Sequence, residues 1–117
     1  KQVNDEHGHL VGDDVLKRVG EVIRSVTRKE DLAVRYGGEE LAVFMRCSGL
    51  PAAVDLAERI RRSVEQFKFR GNNADLSVTL SGGVAYHMAG ESLDVLFARA
   101  DKMLYEAKRL GRNRVVA

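Results

Sequence analysis

Asn4 and Asp13 flank a glycine-containing turn at the opening of a helical stretch. A carboxylate accepts hydrogen bonds from two adjacent N–H groups, and a side-chain amide offers both a donor and an acceptor. Together they suit a guanine edge, which carries an N1–H and an N2–H₂ beside acceptor atoms. A plainer alternative makes Asp13 a helix N-cap and Asn4 a turn residue. Gly37-Gly38-Glu39-Glu40 forms a second cluster, at a hairpin tip. Two glycines let a backbone approach a phosphate closely, and adjacent carboxylates can hold a hard divalent cation such as Mg²⁺. The alternative here is an ordinary turn with solvated acids. Lys108 and Arg112 form a third cluster, one turn apart around a helix end. They can neutralise phosphates, or merely complement the negative end of the helix dipole.

Composition narrows what these clusters can serve. With 117 residues, 44% apolar and 31% charged, the chain has the balance of one globular domain over residues 1–117 rather than a disordered tail. Nineteen basic residues oppose 17 acidic ones, with no dense Lys/Arg block and no Trp. Nucleic-acid binding by bulk electrostatics is therefore disfavoured. Cys47 is the only cysteine, so neither an intrachain disulfide nor a thiolate zinc site can form, which fits a reducing cytosol. No apolar run approaches the roughly 20 residues that span a bilayer. The expectation is a cytoplasmic segment without membrane contact, compatible with a membrane-anchored parent. The chain opens at Lys1 within a polar motif, which suggests a natural N-terminus elsewhere.

The elements that must position these residues follow from periodicity. Val15, Leu16, Val19, Val22, Ile23 and Val26 recur at helical spacing, predicting an amphipathic helix over 13–28 with Asp13 near its start. Leu32–Tyr36 and Leu41–Met45 are apolar runs joined through Gly37-Gly38, predicting a hairpin. Pro51 suits the first turn of a second helix, whose buried face would be Val54, Ala57, Ile60, Val64 and Phe67. Residues 71–75 read as a loop or turn, and Leu76, Val78 and Leu80 alternate as a half-buried strand running to about Tyr86. Leu93, Leu96, Phe97, Ala100, Met103, Leu104 and Ala107 mark a helix within 92–110 that Gly111 ends. Val115 and Val116 would close a last strand. This order predicts an α+β fold, a sheet flanked by helices.

Four stretches share a family pattern. Asn4-Asp5-Glu6-His7-Gly8-His9-Leu10-Val11-Gly12-Asp13 resembles the ND-x-x-G-H-x-x-G-D stretch of GGDEF domains, and Arg35-Tyr36-Gly37-Gly38-Glu39-Glu40-Leu41 resembles their signature. Ser81-Gly82-Gly83-Val84-Ala85 and the run from Ala100-Asp101 to Gly111-Arg112-Asn113 resemble the family's later motifs, in family order. The resemblance implies a mixed, mostly antiparallel sheet like that of nucleotide cyclase and polymerase palms. It implies condensation of two GTP into cyclic di-GMP and pyrophosphate by a homodimer. Asn4 and Asp13 would hold guanine. Glu39, with Glu40 beside it, would serve catalysis and bind Mg²⁺ or Mn²⁺. Gly37 and Gly38 would make room for phosphates, and Lys1, Lys108 and Arg112 would contact the triphosphate.

The same resemblance implies regulation. Arg28-Lys29-Glu30-Asp31 is an R-x-x-D five residues before Gly37, where the family's inhibitory product site lies, and Arg59 falls where a secondary contact is expected. An Arg fork suits a phosphate or a guanine Hoogsteen edge. Two departures stand out. Leu41 replaces the usual Phe, an apolar exchange with an expected packing adjustment only. The chain also begins at the Lys of the family's first-strand D-x-D-x-F-K stretch, whose acid would join Glu39 on the metal. These residues alone are thus expected to be inactive and poorly stable, and a parent with that strand active. The alternatives are a non-catalytic receptor for cyclic di-GMP or GTP on the same scaffold, and a purely structural dimerisation piece.

Overall fold

The computed structural model describes residues 9–35, 40–46, 48–70 and 75–117. Three helices and short paired strands alternate along the chain, an α+β fold as the spacing predicts. The chain divides into two compact units, one built from the residues through Arg46 with Ser63–Val78, the other from Cys47–Arg62 with Thr79–Ala117.

In the first unit, α1 spans His9–Val26. It begins at His9 rather than at the expected Asp13, so Asp13 lies a turn inside the helix and is not its N-cap. Gly12 does not stop it, because one glycine costs a helix only about 1 kcal/mol. Val15, Val22 and Ile23 are buried from α1, the stripe that its apolar spacing dictates. The helix packs on β1 (Leu32–Arg35), which pairs antiparallel with β2 (Leu41–Phe44) from Leu32↔Phe44 to Arg35↔Leu41. The expected hairpin is therefore present, and its last pair brackets residues 36–40. A second small hairpin pairs β3 (Phe69–Arg70) with β4 (Asp75–Leu76).

Helix α2, Leu50–Gln66, carries Pro51 in its first turn, where the missing N–H has no helical acceptor to lose. Ala53 and Ile60 are buried, and Val64 is fully so. Phe67 departs from the expected buried face. It falls just past the last helical residue and is 40% exposed, since the helical period no longer turns it inward.

In the second unit, β5 (Gly82–Gly83) pairs parallel with β6 (Val115–Val116), and both pack against α3 (Leu93–Arg109). A Cβ on Gly83 would collide with the Ala100 carbonyl oxygen and the Leu104 backbone nitrogen, and would lie 2.8 Å from Leu104 Cα. Only glycine lets the strand approach the helix this closely. Ser92 caps α3, its Oγ accepting from the Val95 N–H at 3.2 Å.

The continuous strand expected from Leu76 to about Tyr86 is not formed. Ladder pairing occurs at 75–76 and 82–83, and residues 77–81 belong to no strand. The alternation was nonetheless informative about burial, for Val78 is buried while Ser77 and Thr79 are exposed. Period-two patterning determines which side chains face inward; a ladder needs a paired neighbour as well. Among the described residues the strands form three two-stranded sheets, two antiparallel and one parallel.

Candidate functional site

Lys1, Asn4, Gly37, Gly38 and Glu39 lie outside the described residues. Glu40 is described, half-buried immediately before β2. Among the described residues, no group of three or more His, Cys, Asp or Glu is placed to hold a metal ion.

The best-defined cluster is at the end of α3. Its final carbonyls are closed by a Schellman motif, in which the Arg112 N–H donates to Ala107 O at 2.9 Å and the Gly111 N–H to Lys108 O at 3.3 Å. Gly111 has φ +125°, a conformation that strains any side-chain-bearing residue. The chain then continues through two further left-handed residues, Arg112 at φ +64° and Asn113 at φ +47°. For an ordinary residue this conformation costs roughly 1–2 kcal/mol, less for Asn. The motif turns the chain sharply so that Lys108, half-buried, and Arg112, exposed, share one helix end. Two cations held there can bind a polyanion such as a phosphate chain.

The turn is tied on its far side as well. Arg61 of α2 donates from one terminal nitrogen to Asn113 Oδ1 at 2.9 Å. Its Nε and other terminal nitrogen donate to the two carboxylate oxygens of Glu58 at 3.0 and 3.1 Å. The hydrogen bond from Arg61, with its positive charge, holds the Glu58 carboxyl below the usual carboxylate range, and Arg62 contributes through its charge. Neither Glu58 nor Arg61 was among the residues that sequence reasoning selected. Their signal was faint: an acid and an Arg three apart on a helix is a common surface pattern.

The R-x-x-D turn joins α1 to β1. Arg28 and Asp31 are brought together, but through the backbone of Arg28: its N–H donates to Asp31 Oδ2 at 2.9 Å, and the Asp31 N–H returns to Arg28 O at 3.1 Å. Arg24 reaches from the last turn of α1 to Asp31 O at 2.7 Å. Asp31 is 3% exposed, and its Oδ1 is buried without a hydrogen-bond partner among the described residues. The Arg28 side chain is 71% exposed, with Glu30 only at 4.0 Å. Arg59 is exposed on α2, in the part of that helix belonging to the other unit.

The family model described as "Diguanylate cyclase, GGDEF domain" matches residues 1–114. The chain belongs to the GGDEF family. This GGDEF chain is 47% identical over 116 residues to diguanylate cyclase A of Treponema denticola, covering 98% of the chain and 31% of that protein. Among solved structures, the diguanylate cyclase SiaD of Pseudomonas aeruginosa, in complex with its activator SiaC, matches at TM-score 0.92 and 41% identity, covering 99% of this chain and 45% of that one. The GGDEF domain of DgcB from Caulobacter crescentus, in complex with c-di-GMP, matches at TM-score 0.90 and 38% identity, covering all of this chain and 70% of that one. The GGDEF chain spans about a third of the length of the curated relatives it matches. Among its described residues no helix is long and apolar enough to cross a membrane.

Proposed function

We propose that this chain is the catalytic domain of a diguanylate cyclase, which condenses two GTP molecules into cyclic di-GMP and releases two pyrophosphates. The observation that carries this reading is the family match over residues 1–114, joined to the placement of Lys108 and Arg112 on one sharply turned helix end. Each GTP would be held by its guanine on Asn4 and Asp13, and by its phosphates on Lys1, Lys108, Arg112 and the Gly37-Gly38 backbone. The 3′-hydroxyl of each GTP attacks the α-phosphorus of the other; in each attack the bond to pyrophosphate breaks and the hydroxyl proton passes to solvent. Two chains must face one another, each presenting one nucleotide, so catalysis calls for a homodimer.

The donor chemistry of Glu39 and Glu40, all oxygen and anionic, fits Mg²⁺ or Mn²⁺. Such an ion, when bound, supplies charge neutralisation and polarisation at the α-phosphate. Lys108 and Arg112 add positive charge where the leaving pyrophosphate gathers negative charge.

Product inhibition belongs to the same reading. The exposed guanidinium of Arg28, with Arg59, would take the phosphates or guanine edges of cyclic di-GMP, and Asp31 would set the turn that presents Arg28. The test is incubation of the native protein with GTP and Mg²⁺, followed by chromatographic detection of cyclic di-GMP. Turnover that rises more than proportionally with protein concentration and disappears in Glu39→Gln is expected. Cyclic di-GMP binding without any turnover would replace the enzyme reading with a receptor on the same scaffold.

A further inference from the structure

We propose that Arg61 is a positioning residue, holding the Gly111–Asn113 turn through Asn113 in the conformation that presents Arg112 to phosphate. The inference rests on the reading above, in which Arg112 contacts the triphosphate.

Arg112 occupies a left-handed backbone conformation, and so does its successor. Ordinary residues do not stay there unless their surroundings hold them. On the helix side, the Arg112 N–H is held by Ala107 O. On the strand side, Arg114 O accepts from the Gly82 N–H at 2.9 Å, and Arg114 Nε returns to Arg112 O at 3.1 Å. Between these anchors, the Asn113 side chain is bonded to a residue 52 positions away in sequence.

That residue is itself fixed. Glu58 engages Arg61 bidentately, and the Arg61 side chain is only 15% exposed. A guanidinium presents its N–H groups in one rigid plane, so two bonds to Glu58 aim the remaining terminal nitrogen at Asn113. A lysine ammonium has no such plane and cannot keep both partners. Asn suits the receiving position twice over: it tolerates the left-handed conformation, and its carbonyl oxygen accepts the bond. The result is a rigid brace from α2 to the turn that carries Arg112. Misplacing a charged contact by about an ångström is enough to lose much of its effect on a bound substrate.

Three variants separate bracing from general stability. Asn113→Gly keeps the left-handed conformation open and removes the acceptor. Arg61→Gln removes the fork, and Asn113→Asp keeps an acceptor oxygen. Two readouts are taken on the native protein: amide hydrogen exchange at Gly111 and Arg112 without nucleotide, and GTP affinity by calorimetry. Asn113→Gly and Arg61→Gln are expected to accelerate exchange at those amides selectively and to weaken GTP binding about tenfold, the loss of one charge-assisted hydrogen bond. In an Arg112→Ala background neither should weaken GTP binding further, and Asn113→Asp should retain near-original exchange at those amides. Unaltered exchange at Gly111 and Arg112 in both disruptive variants would overturn the proposal. So would affinity losses that simply add to that of Arg112→Ala, or exchange in Asn113→Asp as fast as in Asn113→Gly. If Arg61→Gln does not fold, Asn113→Gly decides alone. Failure of the unsubstituted protein to bind GTP would instead remove the functional reading, and the exchange measurement would still accept or reject the brace.

Discussion

Asp31 is the residue whose surroundings most alter what its motif suggests. In sequence it is the acid of an R-x-x-D, a partner for a ligand. In the fold its Oδ2 receives the backbone N–H of Arg28 and its carbonyl receives Arg24, with the whole residue buried. Arg28, by contrast, projects its guanidinium into solvent. The two halves of the motif should therefore separate under mutation. Asp31→Ala is expected to lower stability by about 1–3 kcal/mol in urea unfolding, because a part-buried N–H loses its partner. Arg28→Ala should change stability by no more than about 0.5 kcal/mol, as exposed substitutions do, while removing cyclic di-GMP binding in calorimetry. Equal destabilisation by both would contradict this division of labour. The R-x-x-D was legible as a motif, but nothing in its spacing indicated which member would be buried. Burial depends on α1 and β1 converging around the turn.

At the scale of elements, α3 followed its expected boundaries and α2 formed with Pro51 in its first turn, because an apolar stripe every three or four residues is a local property. Ser92, Pro51 and Gly111 were readable for the same reason: capping and helix termination are decided within a few residues. Strand β5 was not. Gly82-Gly83 has no side chains to declare a buried face, and its pairing partner, β6, lies some thirty residues along the chain. The two glycines also differ in a way that sequence does not disclose. A Cβ on Gly82 would meet Val115 Cγ2 at 3.4 Å, an ordinary contact, whereas one on Gly83 would enter the α3 backbone. Gly83→Ala is expected to destabilise by about 1–3 kcal/mol or more through overpacking, and Gly82→Ala far less. Thermal melting of the pair checks this, and indistinguishable melting temperatures would show that α3 can move away.

For the molecule as a whole, the response to acid follows from carboxylates paired with arginine. Glu91 receives Arg99 through two nitrogens at 2.7 and 2.8 Å and the Met88 N–H at 3.1 Å, while Arg99 also donates to Tyr86 O at 2.6 Å. This clasp fastens the segment before α3 to the helix itself. The hydrogen bonds from Arg99, then that from Met88, draw the Glu91 carboxyl down from its ordinary 4.5 to about 2. Glu58 and Glu106 are also lowered, each chiefly by its hydrogen-bonded arginine, Arg61 and Arg109 respectively. A carboxyl whose folded pKa is depressed stabilises the fold above its unfolded pKa, and that contribution disappears as pH falls through the folded value. The melting temperature should therefore decline as pH drops from about 4.5 towards about 2, and Glu91→Gln should flatten the decline. An unchanged slope in Glu91→Gln would locate the acid sensitivity elsewhere.

Sequence alone determined the helices, the hairpin around residues 36–40, the turn after α3 and the family, because each is written in local spacing or in motifs of adjacent residues. It also nominated Lys108, Arg112, Arg28 and Asp31 by their chemistry. Tertiary structure decided which of these are presented and which are buried. It turned Asp31 into a lock for its own turn, made Gly83 a point of close contact with α3, and joined Arg61 to Asn113 across 52 residues. Those outcomes depend on distances through space between segments far apart in the chain, and residue spacing along the chain does not encode such distances.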